Sequence, residues 1–293
     1  MNVMTDVMIY VLVGIIGLCV GSFLTVVIHR VPLMMMREWQ LETDDFIQAS
    51  ELDTATKARV HHALTPNQPP LNLALPRSHC PHCHTTIAWY DNLPALSYLL
   101  CRGRCRHCHH RIAWQYPATE LVTAILSILT VAVLGMDIHG VLGLIFVYFL
   151  IALSMIDYQT QLLPDRLVLP FGMIGLFANT WQVFCTPTDA IYGAIAGFVS
   201  LWAVNAIYRT LRGHDGMGLG DAKLLAAIGA WLGVWALPLV LLIGAGLGVI
   251  AGLYQQRADG KNVAFAFGPY LAVGGVIGLL FGQAILAWYL GLL

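Results

Sequence analysis

Charge is what this sequence has least of. Asp, Glu, Lys and Arg make up 11% of its 293 residues, against about 25% in ordinary soluble domains, and that shortage excludes a water-soluble globule. A basic excess is missing too. The formal net charge is -1, which gives no footprint for a nucleic-acid partner. Met1 to Asp6 contain neither Lys nor Arg, so the n-region of a cleavable signal peptide is lacking and the first apolar run is expected to stay as a membrane helix. Residues 33–75 hold no glycine, and the chain shows no internal repeat, no low-complexity stretch, no phosphate-type glycine loop and no Rossmann unit.

What the chain has is apolar length: 58% of its residues are hydrophobic and the mean hydropathy is +0.72. A bilayer-spanning helix needs about 20 such residues. Eight runs qualify as spans, near 7–28, 118–135, 140–156, 167–184, 190–207, 222–235, 237–254 and 267–290. The sixth and seventh are divided only by Trp235–Pro238, and fused they would fit a bilayer only with strong tilt.

Lys and Arg are retained on the cytoplasmic side of bacterial membranes. Nine of the 15 lie between spans one and two, from Arg30 to Arg111. The rest are Arg166 after span three, Arg209, Arg212 and Lys223 around the start of span six, and Arg257 and Lys261 after span seven. With eight spans all 15 fall on one side; with seven they scatter. The reading is therefore an all-α polytopic membrane protein of about eight transmembrane helices, with a cytoplasmic zinc-binding insertion between helices 1 and 2. Both termini are periplasmic and membrane lipid is the surrounding solvent. Three regions follow: a first transmembrane helix (1–30), a cytoplasmic domain (31–117), and a seven-helix membrane domain (118–293). Residues 33–75 are expected to form a short helix or two followed by a connector, Pro66 to Pro76.

Cys80-Pro-His-Cys83 and Cys105-Arg-His-Cys108 are paired knuckles whose four thiolates match the ligand set of a closed structural zinc site. A reducing cytoplasm disfavours disulfides. Four free thiols are the bland alternative, and the flanking histidines read as solvated groups. Cys19, Cys101 and Cys185 read as packing residues.

Two acids sit at membrane boundaries. Asp157 ends span three in Leu153-Ser-Met-Ile-Asp157, and Asp221 opens span six in Gly216-Met-Gly-Leu-Gly-Asp221. Ionisable groups there are expensive to keep and are functional candidates by default. Two carboxyls at one depth suit amide hydrolysis, one taking a proton from water and the other donating one. The bland reading is capping. It fits Asp221 as an N-cap but not Asp157 at a C-terminus, where the helix dipole disfavours an anion. Asp165 is expected to cap span four, and Lys223 to ion-pair or snorkel. His214 is a weak candidate base. His29 and Arg30 read as interface anchors, and the acids from Glu38 to Asp53 as a solvated face. Gly244-x3-Gly248-x3-Gly252 reads as packing within the bundle, with a homodimer seam as the lesser reading.

Together these residues resemble a known family. Ile156-Asp157, Leu162-Leu-Pro-Asp165 and Gly-Leu-Gly-Asp221 are similar to motifs of the type IV prepilin peptidases, the A24 aspartic peptidases. Gly21-Ser-Phe-Leu-Thr-Val-Val-Ile-His29-Arg30-Val-Pro32, the cysteine pairs, Asn92-Leu-Pro94, Arg102-Gly103, Tyr116-Pro117-x-x-Glu120 and Phe267-Gly-Pro-Tyr270 extend the likeness over nearly the whole chain. Thr25 stands where Asn is usual, and Ala266 where Pro often precedes Phe267. The resemblance implies Asp157 and Asp221 as catalytic pair. It implies cleavage of prepilins and type II secretion pseudopilins at the inner face of the inner membrane, with attraction of the basic leader by the acids from Glu38 to Asp53 as the lesser reading beside a solvated face. N-methylation of the new terminus from S-adenosylmethionine would follow, with Glu120 and 77–117 as the only suggestions for the methyl-donor site. A proton-relaying transporter or a non-catalytic pilin-assembly scaffold are the competing classes.

Overall fold

The computed structural model describes residues 3–64, 71–88, 95–259 and 266–291. Asn92-Leu-Pro94, Lys261 and the start of the Pro66–Pro76 connector lie outside these described residues. Within them the chain forms ten helices: α1 (Val3–Ala49), α2 (Thr54–Leu64), α3 (Leu96–Leu100), α4 (Gln115–Leu134), α5 (Ile138–Thr160), α6 (Asp165–Asn179), α7 (Pro187–Arg212), α8 (Leu219–Leu232), α9 (Leu237–Asp259) and α10 (Gly268–Leu290). Six helices are long and apolar enough to cross a membrane: α1, α4, α5, α7, α9 and α10. The other two apolar runs form α6 and α8, of 15 and 14 residues. At about 1.5 Å per residue these reach only some 21–23 Å, short of a hydrocarbon core of about 30 Å.

The break between α8 and α9 has a local cause. Gly233 takes φ +79° and ends α8, a single 3₁₀ turn Val234–Ala236 follows, and α9 starts at Leu237. A positive φ is cheap only for glycine.

The structure departs from expectation after Ile28. The first helix does not stop there but runs on through Pro32 to Ala49, where separate short helices were expected. Residues 33–49 are rich in Met, Leu, Glu and Gln and lack glycine, so nothing but one missing N–H at Pro32 opposes propagation. The 47-residue helix is about 70 Å long. Then α2 doubles back along its polar end, held by Asp44 to His61 at 2.7 Å and by Lys57 Nζ donating to the Gln48 carbonyl at 2.7 Å.

Close helix contacts come from small residues. A Cβ on Gly17 or Gly21 of α1 would strike the α4 backbone at Ala124 or Glu120. Gly193 of α7 and Gly229 of α8 bring those two backbones into direct contact. In the expected ridge on α9, Gly244 meets Leu271 of α10 but Gly252 faces open space, so only part of that ridge packs inside the bundle.

Helix α8 is the centre of the membrane bundle. Leu224, Leu225, Ile228 and Trp231 are fully buried, and Trp231 Nε1 donates to the Phe171 carbonyl of α6 at 2.7 Å. Buried Asn179 closes the end of α8. Its amide donates to the Ala230 and Trp231 carbonyls, both at 2.9 Å, while its oxygen accepts from Phe184 and Cys185 N–H. The two carbonyls are groups that a helix end leaves orphaned. Asn179→Leu strands two carbonyls and two N–H groups, so it is expected to destabilise the fold by about 3 kcal/mol. Thermal melting in detergent measures this, and an unchanged transition would contradict the capping role.

Candidate active site and cysteine cluster

Asp157 lies in the last turn of α5, 5% exposed, and Asp221 in the first turn of α8, 8% exposed. Separated by 64 positions in sequence, they line one wall of the same cavity of about 1850 Å³. Asp157 Oδ2 accepts from the Gly268 N–H at the start of α10 at 2.9 Å. Asp221 Oδ1 is buried and has no hydrogen-bond partner among the described residues. An unpaired buried carboxyl oxygen is costly and makes Asp221 a candidate for chemistry.

The capping alternatives fail. Gly218 is the N-cap of α8 and makes no side-chain cap bond, which leaves Asp221 in the third position of the helix. For α6 the N-cap is Pro164. Asp165 instead receives both of its bonds from Lys223 Nζ, each at 2.8 Å, which ties the starts of α6 and α8 together. The glycine loop before Asp221 is held by Asn205 of α7, whose oxygen accepts from the Gly216 and Met217 N–H groups at 2.9 and 3.1 Å. Sequence reading passed over Asn205, because nothing local ties it to a loop eleven residues away. His214 lines the cavity but is exposed, with Nδ1 3.2 Å from the Asp215 carbonyl oxygen.

The cavity is open at the polar end of the bundle. Part of its wall is the extended half of α1, with Glu38, Trp39 and Glu42. Glu38 pairs with Arg166 of α6 at 2.6 Å, so the acids read chiefly as a solvated face contribute in part to the cavity wall.

Four cysteines converge as expected. Sγ atoms of Cys80, Cys83, Cys105 and Cys108 all lie within 4.8 Å of one another, with Cys80–Cys108 at 3.7 Å and Cys83–Cys105 at 4.0 Å. A zinc–sulfur bond of about 2.3 Å puts tetrahedral sulfurs about 3.8 Å apart, so the spacing fits the metal. The two knuckles are near copies. In each, the residue after the second cysteine is left-handed, His84 at φ 56° and His109 at φ 55°. Its N–H bonds back to the carbonyl of the first cysteine, at 2.9 and 3.0 Å. The bridges His79 to Thr86 and Arg104 to Arg111 close each loop. The Thr85 hydroxyl and N–H pull the Cys83 thiol down to about 6, whereas Cys108, despite the His110 N–H, is pushed up to about 12 by burial and the other thiols. Sulfurs this crowded cannot all ionise without a cation among them.

Two buried charges tie this insertion to the bundle. Arg30, 8% exposed, donates to the carbonyls of Asn72, Leu73 and Pro76 at 2.9, 3.2 and 2.6 Å, and so is an internal clamp rather than an interface anchor. Glu120 of α4 accepts from the Ala95 N–H at 2.7 Å and is bonded by Ser22. That is a structural task, which weakens Glu120 as a methyl-donor residue.

Helices that cross a membrane and two buried carboxyls on one cavity define a polytopic membrane protein with the makings of an acid–base hydrolase. Comparison with known proteins supplies the family. Residues 15–134 match the bacterial peptidase A24 N-terminal domain, and residues 144–253 match the type IV leader peptidase family. A prepilin leader peptidase/N-methyltransferase of Aeromonas hydrophila is 42% identical over 283 residues, covering 95% of this chain and 93% of that protein. Proteins of the same name from Pseudomonas aeruginosa and Legionella pneumophila are 40% and 37% identical, covering 94% and 96% of this chain and 91% and 94% of theirs. No solved structure gives a significant match. The chain belongs to the type IV leader peptidase family.

Proposed function

We propose that the chain is an intramembrane aspartic endopeptidase with Asp157 and Asp221 as its catalytic pair. It removes the leader from type IV prepilins and type II secretion pseudopilins, then methylates the new α-amine with S-adenosylmethionine as methyl donor. Relatives over nine-tenths of the chain carry that double name. The observation that carries the peptidase half is the burial of both acids on one cavity wall.

The chemistry needs two carboxyls and one water. The ionised acid takes a proton from water as its oxygen adds to the scissile carbonyl carbon, and the protonated acid donates to the carbonyl oxygen. Collapse of the tetrahedral adduct breaks the C–N bond: the carboxyl that took the proton from water gives it to the leaving amine, and an adduct hydroxyl returns its proton to the other carboxylate as the product carbonyl re-forms. The pair thereby returns to one neutral and one ionised acid.

In this reading all eight apolar helices lie in the membrane, both termini are periplasmic, and the insertion between the first two spans is cytoplasmic. Helices α6 and α8 are short because the cavity occupies the depth they leave uncovered. Water then reaches the acids without crossing hydrocarbon, where unsatisfied polar groups are prohibitive. A substrate whose basic leader stays in the cytoplasm and whose apolar helix stays in lipid presents its cut site at that level. The four cysteines hold a structural zinc, closed to substrate, that fixes the two knuckles.

Purified protein, a prepilin and S-adenosylmethionine, followed by mass spectrometry, test both halves. Loss of the leader plus one methyl group is expected. An intact prepilin would overturn the peptidase reading, and a trimmed but unmethylated product the transferase reading.

A further inference from the structure

We propose that Gly268 is a positioning residue for Asp157, an inference that rests on the peptidase reading above. Gly268 is the first residue of α10, and its N–H donates to Asp157 Oδ2 at 2.9 Å in a buried bond across 111 positions of sequence. This hydrogen bond fixes the orientation of a carboxyl able to rotate about its last torsion.

The absence of a side chain matters as much as the N–H. A Cβ built on Gly268 would lie 2.6 Å from Asp157 Oδ2 and 3.1 Å from its Cγ, and the three nearest atoms all belong to Asp157. Gly268 does not have a positive φ, so backbone strain does not demand glycine here. In a helix, Ala is ordinarily the better residue. A merely structural role therefore predicts that Gly268→Ala is neutral or stabilising, whereas the positioning role predicts a displaced carboxyl. The positive end of the α10 dipole also favours an anion at this spot. With Pro269 as the next residue, that start is held in a preset backbone conformation.

The test is steady-state cleavage of a prepilin by Gly268→Ala, with Gly282→Ala on the same helix as control, because a Cβ there meets nothing within 4 Å. The expected result is a fall in kcat of at least about 100-fold, the order of a misplaced acid–base group, with KM, melting temperature and methylation of an already trimmed pilin unchanged. Full cleavage activity in Gly268→Ala overturns the proposal. So does an equal fall in cleavage and methylation, which would mark general damage. If Gly268→Ala does not accumulate, stability is compared in an Asp157→Ala background, where the carboxyl is gone. There the second substitution must cost nothing; an equal cost in both backgrounds overturns the proposal. Asp157→Ala and Asp221→Ala are assayed alongside. Cleavage by either would defeat the peptidase reading itself, whereas loss in both with full activity in Gly268→Ala would defeat only the positioning role.

Discussion

Asp157→Asn and Asp221→Asn are each expected to lower leader cleavage by a thousand-fold or more, the order supplied by a positioned acid or base, while protein level and melting temperature stay near those of the parent. The two substitutions are nearly isosteric, so the cavity keeps its shape. Asn at 157 retains a carbonyl oxygen that can accept from Gly268 N–H, which preserves the bond between α5 and α10. Asn at 221 leaves unpaired an atom position that is already unpaired, so folding loses no bond. What disappears is the exchange of a proton: an amide neither takes one from water nor gives one to a carbonyl. Both carboxyls have to be present in one reaction, so losing either removes most of the rate, and the double variant should be little worse than each single one. Prepilin trimming followed by mass spectrometry decides it. Trimming at the parental rate by either variant would remove that residue from the mechanism.

The second large effect concerns the cysteines. Cys80→Ser or Cys105→Ser, or treatment with a strong zinc chelator, is expected to reduce the metal from about one ion per chain to near none. The knuckles should then unfold. Neither holds an apolar core of its own. Of the four sulfurs only Cys80 counts as buried, and the extended pairing is two isolated bridges. A structural zinc supplies folding free energy directly in such small units. Hydrogen exchange should show lost protection at the amides of His84, Ile87, His109 and Ile112, each bonded inside or beside a knuckle. Protection across Leu224 to Trp231 in the packed bundle should be unaltered. Elemental analysis finding full zinc in Cys80→Ser, or protected knuckle amides without metal, would end the structural-zinc reading.

The glycine loop shows how far short-range reasoning carries. Gly216 and Gly218 lie in the turn before α8, and Asp221 sits in the first turn of that helix. Which residue holds that loop, Asn205 on the preceding helix, depends on the α7–α8 crossing. Asp165 illustrates the converse. A helix-start acid after Pro164 satisfies every local rule for a cap, yet Lys223 from another helix takes both oxygens, because an ammonium nearby outbids a backbone N–H.

Sequence alone determined the helical membrane class and the four-cysteine cluster and put forward the two acids as candidates, since each is written in quantities that are local: apolar length, a two-residue spacing, an ionisable group at the edge of an apolar run. Tertiary structure decided the rest: the unbroken 47-residue α1 that walls the cavity, the role of Arg30 and Glu120 as clamps, the Gly268 bond to Asp157, and the placing of Asp157 and Asp221 on one cavity. Those depend on where helices cross, and crossing is set by the packing of small residues such as Gly21, Gly193 and Gly229 against distant backbones, a contact that no stretch of sequence contains.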